Sequence, residues 1–129
     1  MKIISPLYIT MGKIKIKKYY LNLNAYRNRH HIVNWNLKKL YKKMIQDQIN
    51  KLPIFEWELK FIYTYYHPTK RKSDIENVCI VHNKYLQDAI VESWKIEDDN
   101  YTVIKEIVYR YGWYDKNNGR VEVEIESFK

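Results

Sequence analysis

Apolar and charged residues first alternate over Lys13-Ile-Lys-Ile-Lys-Lys-Tyr-Tyr20, which puts Ile14 and Ile16 on one face of a strand and lysines on the other. A shorter strand over residues 7–10 is placed to pair with it through Met11-Gly12. Residues 21–33 have no period and are rich in Asn and Arg, which predicts a loop. Asn34 or Asn36 then caps a helix that runs to about Lys51 and is closed by Pro53. Leu37, Leu40, Tyr41, Met44, Gln48 and Ile49 carry the three-four spacing of one buried stripe, and Lys38, Lys39, Lys42 and Lys43 lie opposite.

Alternation returns over residues 54–66. Phe55, Trp57, Leu59, Phe61, Tyr63 and Tyr65 share one face, and Glu56, Glu58, Lys60 and Thr64 share the other. That pattern predicts a strand with one side under helices and one wetter side. Pro68 ends it in a basic turn, and a second helix begins near Ser73 or Asp74 and reaches about Glu92. Its apolar stripe is Ile75, Val78, Cys79, His82, Tyr85, Leu86, Ala89 and Ile90. After an acidic turn at residues 96–100, strands are predicted over 102–111 and 120–128. Residues 115–119 join them as a hairpin, with Asn118-Gly119 supplying positive φ. This order predicts one domain over residues 1–129, of α/β class (α+β by strict layering): a mixed β-sheet with two main helices packed on one face.

A chain of 129 residues can enclose one core. The net charge of +8, with 13 Tyr and 4 Trp, favours a phosphate-bearing partner, because basic surfaces attract phosphate backbones and aromatic rings stack on unpaired bases. A basic but otherwise ordinary soluble protein would have the same composition. No stretch approaches the roughly 20 apolar residues of a membrane span. The start, Met1-Lys-Ile-Ile-Ser-Pro6, lacks a signal-peptide apolar run, so a cytosolic protein is expected. The lone Cys79 excludes an intrachain disulfide and reads as a buried small hydrophobe. His30, His31, His67 and His82 have no zinc-motif spacing, and there is no Gly-rich phosphate loop.

Carboxylates stand out at element boundaries. Asp74 and Glu76 follow the cations Lys70, Arg71 and Lys72, and Asp98 and Asp99 precede a strand. Hard oxygen donors in basic surroundings suit Mg²⁺ and a scissile phosphate. Lys84, ten residues after Asp74, is placed to neutralise phosphate charge or orient a nucleophile. The same residues also fit plain structural chemistry. Ser73-Asp-Ile-Glu76 matches a capping box, Asp98-Asp99-Asn100 matches a turn, and Lys84 can pair with Asp88 one helical turn on.

Lys72-Ser-Asp74-Ile-Glu76-Asn77, Lys84-Tyr-Leu-Gln-Asp88-Ala-Ile-Val and Ile96-Glu-Asp98-Asp99 together resemble the RusA family of Holliday-junction resolvases. In family terms the pattern is basic-Asp-x-Asp-Asn, then Lys with Asp-Ala-Leu on one helix, then a turn ending in Asp-Asp. Leu23-Asn24-Ala-Tyr26-Arg27 resembles the segment after the family's first strand. The resemblance spans roughly residues 12 to 126, with its strong motifs in 72–99. It implies a homodimeric, Mg²⁺-dependent endonuclease, with Mn²⁺ as a substitute, that binds four-way or otherwise branched DNA and nicks paired strands. Asp74, Glu76 and Asp99 would hold the metal, converging to within about 4–7 Å. Lys84 would be the functional lysine, and Asn77 and Asp98 would steady the ligands from behind. DNA would lie on Lys70, Arg71, Lys72, Arg27 and Arg29. Three features depart from the pattern: Glu76 replaces an Asp, the stretch from Asn77 to Lys84 is longer by about one helical turn, and Ser73 replaces a frequent Arg. Glu76 keeps a second expectation open, a structure-selective DNA-binding protein with weak or no catalysis.

Overall fold

The computed structural model describes residues 1–128. Its strands are β1 (Lys2–Pro6), β2 (Tyr8–Met11), β3 (Lys17–Tyr20), β4 (Leu59–His67), β5 (Ile104–Tyr114) and β6 (Arg120–Ser127). Its helices are α1 (Leu23–Asn28), α2 (His31–Asn50) and α3 (Ile75–Glu92). The main sheet is mixed, in the order β1-β6-β4-β5, and β2 and β3 form a separate antiparallel ribbon. This is the expected α+β arrangement of one sheet with helices on one face.

Period-two alternation decides the two faces of the sheet. Ile3, Leu59, Phe61, Tyr63, Tyr65, Val121, Val123 and Ile125 are buried in the core. They meet Leu37, Tyr41, Ile45 and Ile49 of α2 and the buried stripe of α3. The opposite face carries ion pairs, Lys2 with Glu122 at 2.8 Å and Lys60 with Glu106 at 2.8 Å. A buried polar chain ties three elements together. Ser5 Oγ bonds both the Tyr41 hydroxyl (2.7 Å) and His82 Nδ1 (2.6 Å), linking β1 to α2 and α3. Gln48 explains its own presence in an otherwise apolar stripe. Its side-chain amide accepts from the Ile4 N–H at 2.7 Å and donates to the Ile4 C=O at 2.9 Å. Those backbone groups lie on a sheet edge, where unpaired N–H and C=O groups would otherwise template another strand.

Several sequence expectations need correction. Strand β1 has no counterpart among the expected elements, because five residues ending in Ser-Pro carry too little period to mark a strand. The second ribbon strand is only Lys17–Tyr20; Ile14 and Ile16 lie in the connection and are exposed, because β2 offers no partners beyond Met11. Residues 21–33 are not a loop. Asn22 caps α1 by accepting from the Ala25 N–H, and His30, not Asn34 or Asn36, caps α2 through its ring nitrogen. Met44 is exposed, and Ile45 takes the buried place. Strand β4 starts at Leu59 rather than Ile54, and Trp57 is exposed.

The largest correction concerns the last two strands. They are not a hairpin: β6 lies antiparallel between β4 and β1, and β5 lies parallel to β4 on its other side. The intervening loop therefore steps over the end of β4, where Asp115 N–H donates to His67 O at 2.8 Å. Asn117 takes the positive φ of 59°. Gly119 is needed for space instead, since a Cβ there would stand 2.5 Å from Leu7 and 2.7 Å from Pro68.

Candidate functional site

The loop over the end of β4 leaves a cleft of about 910 Å³ beside it. Pro68 ends β4, and the chain turns through Thr69–Ser73 into the start of α3. Asp74 is the N-cap of α3, with extended backbone (φ −81°, ψ 122°) and Oδ1 accepting from the Glu76 N–H at 3.0 Å. The expected capping box is thereby corrected: Asp74 does the capping, so Glu76 sits in the first turn without returning a bond to Ser73. Asp74 and Glu76 both line the cleft, and both are exposed.

The cations come from two other segments. Arg71 and Lys72 reach the cleft from the β4–α3 turn, and Arg27 reaches it from α1. Asn77 Oδ1 accepts from the Asn24 N–H at 3.2 Å, so the motif asparagine fastens α1 to α3 and holds Arg27 on the rim. Sequence reasoning missed Asn22, Tyr65 and His67, which also line the cleft. Burial raises the Tyr65 phenol, and a hydrogen bond with Ser73 opposes the shift. His67 Nδ1 accepts from the Thr69 N–H at 3.0 Å, leaving Nε2 as the protonated nitrogen of the neutral ring. No spacing signal marks these residues, because their approach to α3 depends on the turn at Pro68.

The other expected site residues lie elsewhere. Lys84 is exposed and stands 5.4 Å from the Tyr26 ring centroid, in a neighbouring pocket. Ten residues along α3 put it about 15 Å from Asp74 by helical rise. Its expected pairing with Asp88 is not made; Asp88 bonds Lys38 at 2.6 Å. Asp99 does not converge with Asp74 and Glu76 within one chain. Its carboxyl is raised by partial burial first, then by a hydrogen bond with Asp98 and the nearby charge of Asp88. Asp88 lies about 21 Å along α3 from Asp74, so the helix separates the two acidic groups. Asp98 spends both oxygens on its own turn, accepting from the Asp99 N–H at 2.7 Å and Asn100 Nδ2 at 2.8 Å. Among the described residues no three His, Cys, Asp or Glu side chains are grouped to hold a metal ion.

Of the remaining basic residues, Arg29 is committed to structure. It donates to the Tyr20 carbonyl at 2.7 Å and lies over Tyr19, and burial lowers its pKa. Lys70 Nζ lies 5.6 Å from the Tyr114 ring centroid, outside the cleft lining. Cys79 is buried as expected, and burial pushes its thiol up to about 12, so it is no nucleophile. No helix among the described residues is long and apolar enough to cross a membrane. No protein-family model and no curated protein matches the chain.

Proposed function

We propose that the chain is a metal-dependent endonuclease that binds branched DNA, four-way junctions included, and nicks it by phosphodiester hydrolysis. The observation that carries this reading is the mixed charge of one cleft. Two carboxylates at the start of α3 share it with Arg27, Arg71 and Lys72, drawn from two other segments. A solvated helix start needs no such ring of cations. A phosphodiester held beside a metal ion calls for both signs within a few ångströms.

Asp74 and Glu76 fit Mg²⁺ as a pair, since this ion commonly takes one or two carboxylates and fills its shell with water and substrate phosphate oxygens. Asp74 keeps Oδ2 for that purpose while Oδ1 caps the helix. When bound, Mg²⁺, or Mn²⁺ in its place, supplies Lewis acidity for hydrolysis. Arg27, Arg71 and Lys72 hold the flanking phosphates, and Asn77 fixes the distance between α1 and the carboxylates. If Asp99 contributes a third carboxylate, it would have to come from a second copy of the chain. A homodimer would suit paired nicks, because a twofold axis would set two such clefts on one junction.

A second reading, structure-selective binding without useful catalysis, is favoured by one observation: among the described residues only two carboxylates share the cleft. A synthetic four-way junction separates the two. Paired nicks in Mg²⁺ that vanish with chelator support the nuclease. Tight binding without nicks in either Mg²⁺ or Mn²⁺ supports the binding protein, and no preference for the junction over duplex defeats both.

A further inference from the structure

We infer that a second pocket, next to the cleft along α1 and α3, binds an unpaired nucleobase of the DNA together with its phosphate. This rests on the nucleic-acid reading above. The pocket measures about 430 Å³ and lies between α1, the first turns of α2 and the middle of α3. Tyr26, Ile32, Trp35 and Tyr85 give it aromatic and apolar walls, and Lys84 stands among them.

Four observations point to a flat, anionic occupant. Trp35 is 57% exposed and Ile32, one turn before it on α2, is 53% exposed, so the pocket has an open apolar wall. Lys39 Nζ lies 3.3 Å from the Trp35 ring centroid, over one face of the indole, and Trp35 also lines the pocket. Lys84 makes no ion pair among the described residues, while Lys38 beside it is already neutralised by Asp88 at 2.6 Å. Lys84, over the Tyr26 ring at 5.4 Å and without an ion pair among the described residues, is a cation at the edge of an aromatic pocket, where a phosphate attached to a stacked base would fall. Asn34 lines the same pocket; its Nδ2 donates to the Tyr26 carbonyl at 2.8 Å, and its Oδ1 has no partner among the described residues. Bases of any identity stack on aromatic side chains, so the pocket selects an unpaired base rather than a sequence.

Pocket and cleft are close enough to act on one strand. Tyr26 lines the pocket and Arg27, the next residue, lines the cleft. Asn77 and Lys84 lie seven residues apart on one face of α3, about 10 Å by helical rise, or about three stacked nucleotides at roughly 3.4 Å each. This gives Lys84 a role at a distance from Asp74, and it gives the chain a physical means of preferring branch points, where bases are unpaired.

The test uses a junction with one 2-aminopurine in a short single-stranded gap, and a fully paired duplex as control. Stacking on Trp35 should quench the fluorophore on binding. Trp35→Ala should abolish the quench and weaken gapped-DNA binding on the order of tenfold, with duplex affinity changed less than twofold. Trp35→Phe should restore part of both. Lys84→Ala should weaken gapped DNA more than duplex. DNA binding with an unchanged quench in Trp35→Ala would overturn the pocket assignment and leave the nuclease reading standing, as would equal losses on gapped and paired DNA. Failure of the wild-type protein to bind either DNA would overturn both.

Discussion

Asp74 serves two purposes with two oxygens, and one substitution can separate them. Asn caps helices about as well as Asp, whereas Ala costs about 1 kcal/mol. Asp74→Asn should therefore keep its urea midpoint and its junction affinity while losing cleavage, and Asp74→Ala should lose both stability and cleavage. Nicking by Asp74→Asn at the wild-type rate would reduce the residue to a cap. His82 carries a different consequence of burial, which lowers its pKa from 6.5 to about 3. Above pH 6.5 neither the folded nor the unfolded state binds the proton, and stability is unaffected. Between pH 6.5 and about 3 only the unfolded chain takes it up, so stability falls by about 1.4 kcal/mol per pH unit, or about 2 kcal/mol at pH 5. Urea titrations at pH 7 and pH 5 should show that loss in the wild type and a smaller one in His82→Gln. The positions of Cys79 and His82 in the apolar stripe of α3 were legible from spacing. The partners of His82 were not, because Ser5 and Tyr41 reach it from distant segments that no local pattern connects.

Helix α3 is the element most fully legible in the sequence, since its stripe is long and its first turn is acidic. Its far end hides a cost. Trp94 N–H donates to Val91 O at 3.0 Å and Lys95 N–H to Ile90 O at 3.2 Å, the paired bonds of a Schellman ending. That ending places Trp94 at φ 61°, where a Cβ is disfavoured, and leaves its ring largely exposed. Trp94→Gly should raise stability by about 1 kcal/mol, measured as a higher urea midpoint with unchanged slope. A fall would show that the indole has a packing role its exposure does not reveal. Helix α1 and the start of α2 were illegible for a different reason. Asn22 and His30 supply caps through side chains, but Asn and Arg around them suppress the apolar period that usually announces a helix. The alternation at Ile14 and Ile16 misled in the opposite sense, for pattern alone does not make a strand where no neighbouring strand accepts its hydrogen bonds.

Across the whole molecule, the net charge of +8 should appear as salt dependence. Arg71 and Lys72 line the cleft and Lys70 flanks it. If all three neutralise phosphates, replacing them with Ala should flatten the plot of log affinity against log salt by roughly 3 per subunit, at about 0.9 per contact. An unchanged slope, with the fold intact by circular dichroism, would move the DNA track to Arg27 and the lysines of α2. The fold class and the gathering of Asp74, Glu76, Arg71 and Lys72 follow from neighbours in sequence. The separation of Asp99 follows from the length of α3, a three-dimensional fact that motif spacing does not express. Sheet order was the hardest property to read, because Asn118-Gly119 has the chemistry of a hairpin while the loop is pinned instead by His67 and Pro68. That order also bears on how the protein comes into being. Strand β6 fills the middle of the sheet but is the last of its strands in the chain, and Ile3 must wait for Val123, 120 residues later on the ribosome, before β1 has a neighbour. The growing chain can assemble α3 against β4 and β5 early, with a gap where β6 will go. Insertion of that strand should then be the slow, late event of folding, and the period before it the one in which the nascent chain most needs protection from aggregation.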